Sequence, residues 1–204
     1  MAQDFEQAGA AQGAMAITAH IQELRKRLLV CLVVIGAASF ACYFYVNPIV
    51  HAIVAPAGKL YYMKPAEAFF TYLKVSMFAG FLLALPVVLY QTWAFVVPAL
   101  TNNEKKASAF LIPASVLLFY AGLAFSFYFV LPAGIKFFVG FATEDLQPLF
   151  SLGEYVSFVI SFLLPFGFIF ELPLFIIVLA KLGLTGSDFL RRKRKIVLVL
   201  AFVV

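Results

Sequence analysis

The chain has 204 residues, of which 64% are hydrophobic and 12% are charged, and its mean hydropathy is +1.01. These values lie outside the range of soluble globular domains and indicate a membrane protein. The formal net charge of +5 does not indicate nucleic-acid binding, because the basic residues lie between apolar segments and form no extended solvated face.

The apolar segments predict transmembrane helices. Residues 1–17 carry neither a basic segment nor a small-residue cleavage site, so we expect no removable signal peptide. Each of the main apolar segments is long enough to cross about 30 Å of hydrocarbon as a helix, and they are 28–46, 69–97, 108–131 and 155–180. A run at 196–204 is too short to span, and we interpret it as a truncated fifth helix. The predicted fold class is all-α, a polytopic membrane helix bundle with residues 1–204 in a single transmembrane domain.

Basic residues predict the orientation of the bundle. They concentrate before the first span, after the second and after the fourth, as Arg25, Lys26, Arg27, Lys105, Lys106, Lys181 and the run 191–195. By the positive-inside rule these segments are cytoplasmic, so we expect a cytoplasmic N-terminus. We interpret the run 191–195 as a topology anchor.

The sequence offers no catalytic or metal-binding motif. It contains no HExxH, GxSxG, GxxxxGK(S/T) or CxxC pattern, so we expect neither an enzyme nor a cofactor. His20 and His51 flank the first span on opposite sides of the membrane and are interpreted as interfacial or loop residues. Cys31 and Cys42 are separated by about 16 Å of helical rise and cannot form a disulfide with each other.

Two carboxylates near the cytoplasmic ends of spans have ordinary structural explanations. Glu23 lies four residues before Arg27 and can form an i,i+4 ion pair with it on a helix. Glu104 follows Thr101 at the spacing of a capping box. An antiparallel pair formed by the first two helices would nevertheless bring both glutamates to one surface. There they would suit a partner with two guanidinium groups, because arginine binds carboxylates through paired hydrogen bonds.

Glu171 is unusual because it lies inside the fourth span. A charged carboxyl at the centre of a membrane helix costs about 2.5–3.5 kcal/mol on insertion scales, and such residues mark pathways, proton relays or polar contacts between helices. The structural alternative is a protonated glutamic acid bonded to a backbone carbonyl that Pro165 or Pro173 leaves free. We favour a functional role, and a proton-coupled small-solute transporter using Glu171 is one alternative function.

Polar and aromatic residues near the end of the second span also have structural explanations. Pro86 and Gln91 interrupt the apolar run there. Trp93 and Phe95 follow at the cytoplasmic interface, where an aromatic belt explains them.

Three segments in order resemble the TatC subunit of the twin-arginine protein translocase. The segment "HIQELRKRLL" is similar to the family's N-terminal signature, and "PAEAFFTYLKVSMFAGFLLALPVVLYQTWAFVVPALTNNEKK" is similar to its second helix and first cytoplasmic loop. The segment "FGFIFELPLFIIVLAKLGLTGSDFLRRKRKIVLVLAFVV" is similar to its fourth and fifth helices. The resemblance implies a cup-shaped, six-helix, multi-pass protein of the bacterial cytoplasmic (inner) membrane that receives the signal peptides of folded proteins.

The resemblance also implies roles for cytoplasmic residues. Glu23 and Glu104 match the glutamates that recognise the arginine pair of the signal peptide, and Phe95 matches an aromatic residue of the same site. Arg25 and Arg27 match the basic residues of the N-terminal signature. The loop "TNNEKK" departs from the pattern, because it carries lysines where other members often carry arginines.

Partners are likewise implied by the resemblance. Glu171 matches an intramembrane glutamate that makes a polar contact with single-span partner subunits. A TatB-like subunit would dock on the fifth helix, and a TatA-like subunit and the proton-motive force would be needed for transport. The expected assembly is an oligomeric receptor complex in contact with membrane lipids.

Overall fold

The computed structural model describes residues 2–96, 102–143 and 149–181, and it describes side chains at 20–95, 110–143 and 149–178. The helices in these ranges are α1 (Ala2–Phe44), α2 (Val46–Val54), α3 (Pro65–Val96), α4 (Asn102–Phe125), a π-helical turn (Ser126–Val130), α5 (Leu131–Val139) and α6 (Leu152–Lys181). Within these ranges the β structure is one isolated bridge between Tyr61 and Ser151. The prediction of an all-helical bundle is confirmed, whereas the expected fifth helix at 196–204 lies outside the described residues.

Four stretches of these helices are long and apolar enough to cross a membrane, namely His20–Phe44, Pro65–Phe95, Phe110–Val139 and Leu152–Val178. The third stretch continues past Pro132, where the apolar segment had suggested an end. A π-helical turn at Ser126–Val130 precedes the proline, which then occupies the first turn of α5. Proline is tolerated there because the first amides of a helix need no intrahelical acceptor.

The centre of the bundle is formed where α3 and α6 meet α4 and the π-helical turn. Its side chains at 2% exposure or less include the apolar Val75, Leu85, Phe119, Leu131, Val156 and Val159 and the polar Thr71, Ser76, Ser115 and Ser126. In contrast, no residue of the His20–Phe44 stretch of α1 is buried, although α1 packs along α3. Because lipid is as apolar as these side chains, close packing rather than the hydrophobic effect must hold the helices together.

The packing of α1 on α3 depends on the absence of a side chain at Gly80. A Cβ atom at Gly80 would lie 2.3 Å from Cα and 2.4 Å from the backbone nitrogen of Ser39 in α1. Such contacts between backbones are a recurring way for membrane helices to associate, and small residues make them possible. Gly80 therefore fixes both the distance between α1 and α3 and their register.

We expect the Gly80→Val variant to lose stability by about 2 kcal/mol or more, because the added atoms force the α1 and α3 backbones apart. Thermal unfolding of the purified full-length protein in detergent measures the effect. Gly36→Val is the matched control, since a Cβ at Gly36 meets no atom within 4 Å. Equal melting temperatures for the two variants would contradict the close approach of α1 and α3.

Glu67 joins the N-terminal ends of α3 and α6. Its Oε2 accepts hydrogen bonds from the backbone N–H groups of Met63 (2.7 Å) and Lys64 (3.3 Å), which caps α3. Its Oε1 accepts from the Ser151 hydroxyl and from the Gly153 N–H (2.8 Å), at the start of α6. This carboxylate thus joins the segment that precedes α3 to the segment that precedes α6. We call this end of the molecule the Glu67 end.

Candidate functional site

The opposite end of the bundle, which we call the His20 end, brings the start of the α1 span against the last turns of α3. The His20 and Phe95 rings are stacked, with centroids 4.3 Å apart and planes inclined by 19°. The contact exists because α1 and α3 run antiparallel, so that residues about 75 positions apart in sequence meet in space. Phe95 therefore lies against the start of the α1 span, next to the residues that follow His20.

A charged cluster lies one turn further along α1. The Arg27 guanidinium donates from Nη2 (2.5 Å) and Nε (3.1 Å) to Oε1 of Glu23. Its Nη1 donates to Oε1 of Gln91 in α3, at 3.1 Å. Arg27 thus connects the i,i+4 pair expected from the sequence to a neighbouring helix.

The Glu23 carboxylate is accessible, and only one of its two oxygens accepts hydrogen bonds from the described side chains. The Glu23 side chain is 40% exposed and the Arg27 side chain 23% exposed. Both hydrogen bonds from Arg27 end on Oε1, and no other described side chain donates to Oε2. An incoming guanidinium can therefore bind Oε2 without first displacing Arg27.

Two further residues that the sequence predicted to be cytoplasmic are Arg25 and Glu104. Arg25 is exposed on α1 beside the cluster. Glu104 lies in the first turn of α4, and its side chain is outside the described ones. Because α3 ends at Val96 and α4 begins at Asn102, this turn belongs to the His20 end as well.

Glu171 lines a separate cavity of about 420 Å³ enclosed by α3, α4 and α6. Among the other described lining residues, only Thr92 and Trp93 carry a polar group. The rest are Phe81, Leu85, Val88, Leu89, Phe119, Phe168, Phe175 and Val178. Oε1 of Glu171 is buried and has no hydrogen-bond partner among the described residues. The structural alternative, in which the Glu171 carboxyl bonds to a backbone carbonyl, is therefore not seen for this oxygen in the described part of the chain.

The polar groups near Glu171 are bonded to other residues. Thr92 donates to the carbonyl of Val88 at 2.9 Å, which is within its own helix. The Trp93 indole N–H donates to the Ser115 hydroxyl at 3.0 Å. A group that satisfies Glu171 must therefore come from outside the described side chains.

Sequence reasoning missed the roles of His20 and Gln91. His20 was interpreted as an interfacial or loop residue, and Gln91 only as an interruption of the apolar run. The structure places His20 on Phe95 and Gln91 on Arg27, so both define the site. Pairing α1 and α3 in antiparallel register could have found them, but the sequence alone does not give that register. For metals, the described residues contain no group of three His, Cys, Asp or Glu side chains that could hold an ion.

Residues 19–204 match the family model for the Sec-independent protein translocase protein TatC. The chain belongs to the TatC family. The TatC of Escherichia coli (strain K12) is 38% identical over 192 residues, which cover 91% of this chain and 74% of that protein. The TatC of Carboxydothermus hydrogenoformans is 35% identical over 193 residues, covering 93% of this chain and 79% of the relative.

Solved structures agree with the family match. A crystal structure of the twin-arginine translocase receptor TatC superimposes with a TM-score of 0.79 at 35% identity, covering 90% of this chain and 84% of that one. The resemblance noted from the sequence is thereby confirmed. This member of the TatC family is a membrane protein and the receptor subunit of the twin-arginine translocase, not an enzyme. The comparisons do not favour the alternative of a proton-coupled solute transporter.

Proposed function

We propose that this TatC-family protein binds the twin-arginine signal peptides of folded proteins at the His20 end and nucleates assembly of the translocation complex. Glu23 and Glu104 are the carboxylates that bind the two guanidinium groups of the peptide. The observation that supports this most directly is the Glu23 carboxylate, which already binds the guanidinium of Arg27 and keeps Oε2 open.

Arg27 acts in this proposal as an internal guanidinium at the peptide site. It holds Glu23 in position while no peptide is bound, and it has a second acceptor in Gln91. When a peptide arginine competes for Glu23, Arg27 can keep its bond to Gln91 instead of losing both partners. Desolvating Arg27 without an acceptor would otherwise oppose binding.

Phe95 and Arg25 have different roles beside the carboxylates. The Phe95 ring, held by its stacking on His20, offers an apolar surface to the peptide backbone and side chains next to the arginine pair. Arg25 is exposed, and residues two positions apart do not face each other on a helix, so in this proposal Arg25 lies away from Glu23 and Arg27 and binds anionic lipid headgroups. The peptide site therefore keeps its negative character despite the neighbouring basic residues.

The orientation of the protein follows from the same residues. We infer that the His20 end faces the cytoplasm and that the chain is a multi-pass protein of the bacterial cytoplasmic membrane. The support is the group of basic residues Arg25, Lys26 and Arg27 at this end, where the positive-inside rule requires cations. Signal peptides reach the membrane from that side.

The cavity at Glu171 supports a polar contact with single-span partner subunits of the TatB and TatA type. Its carboxyl has an unpartnered oxygen in an apolar cavity, and a polar side chain on a partner helix would satisfy it. The resulting oligomeric receptor would use the proton-motive force for transport.

A binding measurement tests the peptide site. Full-length protein in detergent is titrated with a fluorescent twin-arginine signal peptide and with the same peptide carrying two lysines. We expect about tenfold weaker binding of the lysine peptide, because lysine cannot form the paired hydrogen bonds of a guanidinium. Glu104→Ala should abolish the preference, and Glu154→Ala, at the Glu67 end, should keep it. Equal binding of both peptides would refute the proposal.

A further inference from the structure

A second site of a different character lies at the Glu67 end, in a groove between α3 and α6. Its polar part is a pocket of about 540 Å³ near the helix starts, and its apolar part is a groove of about 470 Å³ that extends along the span. Phe70 and Lys74 line both parts. The apolar part is otherwise lined by Leu73, Met77, Phe78, Phe81, Ile160 and Leu164. A molecule that fits this shape has a polar head and a long apolar tail.

Lys74 is the cation at the junction of the two parts. It lies nine residues after Pro65, about 14 Å along α3, and its long side chain can reach the headgroup level from there. Its ammonium donates to the Ser157 hydroxyl at 2.8 Å, and Ser157 in turn donates to the carbonyl of Gly153 at 2.6 Å. An ammonium has three donors, and no described carboxylate forms an ion pair with Lys74. Two of its N–H bonds are therefore available.

The polar pocket also contains an available carboxylate. Glu154 lines the pocket, lies one turn before Ser157 on the same face of α6, and is exposed. No described residue forms an ion pair with it. Glu67 lines the pocket too, but its two oxygens already accept four hydrogen bonds from the chain. The charged side chains of the pocket are therefore two lysines, Lys64 at its rim and Lys74 at the junction, and two carboxylates, of which Glu154 is free to bind a ligand.

We propose that this groove binds phosphatidylethanolamine from the membrane leaflet at the Glu67 end. The lipid phosphate binds the Lys74 ammonium, the lipid ammonium binds Glu154, and one acyl chain lies in the apolar part of the groove. This zwitterionic headgroup offers an anion to Lys74 and a cation to Glu154, whereas an anionic headgroup such as phosphatidylglycerol offers Glu154 only hydroxyl groups and places a phosphate beside it. The site is distant from the peptide-binding residues and does not depend on their proposed role.

Native mass spectrometry of the full-length protein tests this site, with phosphatidylethanolamine and phosphatidylglycerol of identical acyl chains added in turn. We expect about tenfold tighter retention of phosphatidylethanolamine, since one charged hydrogen bond distinguishes the two lipids. Glu154→Gln should remove the preference, because it weakens phosphatidylethanolamine binding and relieves the repulsion between Glu154 and the phosphate of phosphatidylglycerol. Lys74→Gln should weaken both lipids, and Lys74→Arg should retain both.

Controls separate the lipid site from general effects. Lys59→Gln removes an exposed cation that does not line the groove, and it should retain the lipid preference. Lys74→Gln should bind the twin-arginine peptide like the unmodified protein. A loss of peptide binding in this variant would reveal a defect in folding or in the peptide site. Equal retention of the two lipids by the unmodified protein, or unchanged retention in Lys74→Gln, would overturn the proposal.

Discussion

Replacing Glu23 with lysine is expected to weaken binding of a twin-arginine signal peptide by about a hundredfold. Removing one partner of a close charge pair costs about 2–5 kcal/mol, and the lysine adds repulsion toward each incoming guanidinium. It also faces Arg27, which loses two hydrogen bonds and keeps only Gln91. Isothermal titration of the full-length protein with the peptide measures the loss.

Two further variants separate charge from shape in this prediction. Glu23→Gln keeps the size of the side chain and one acceptor oxygen, so its loss of affinity should be smaller than that of Glu23→Lys. Glu67→Gln changes a carboxylate at the opposite end of the bundle and should leave peptide affinity unchanged. If Glu23→Lys bound the peptide as well as the unmodified protein, the carboxylate of residue 23 would have no part in recognition.

The contacts around Glu23 depend on the register of α1 against α3. Gly80 lets the two backbones touch near Ser39, and the same helix pair carries the contacts of Arg27 with Gln91 and of His20 with Phe95. A change of register would separate these side chains without altering any of them. The proposed peptide site consequently depends on the helix pair and not on the N-terminal signature alone.

Local patterns were sufficient to predict much of this molecule. The apolar segments gave four membrane-spanning helices, because the thickness of the bilayer fixes the length of such a segment. The i,i+4 spacing gave the ion pair of Glu23 and Arg27, which requires only that the segment be helical. The isolated carboxyl of Glu171 in an apolar run marked it as a candidate functional residue, and the structure places it at a cavity.

Features that depend on contacts between distant segments could not be predicted in the same way. The pairing of Gln91 with Arg27 joins residues 64 positions apart, and no sequence pattern specifies it. The bonds from Ser151 and Gly153 to Glu67 join two connections that are separate in sequence. The continuation of the third span beyond Pro132 depends on a π-helical turn, which has no simple sequence signal. In each case packing, and not local propensity, decides the outcome.

Glu171→Leu is expected to stabilise the isolated protein while it abolishes association with a single-span partner subunit. A buried polar atom without a hydrogen-bond partner costs about 1–3 kcal/mol, and Oε1 of Glu171 has none among the described residues. Leucine fills a similar volume of the apolar cavity without that cost. Thermal unfolding in detergent should therefore show a higher melting temperature for the variant.

Association supplies the second half of the test. Copurification with a TatB-like subunit should be lost in Glu171→Leu and partly kept in Glu171→Gln, because an amide still offers a donor and an acceptor to a polar partner. Peptide affinity should be unchanged in both variants, since Glu171 does not line the Glu23 site. A lower melting temperature for Glu171→Leu would mean that the carboxyl is already satisfied within the full-length chain. Its buried oxygen would then be a structural contact, and recruitment of the partner would have to depend on other residues.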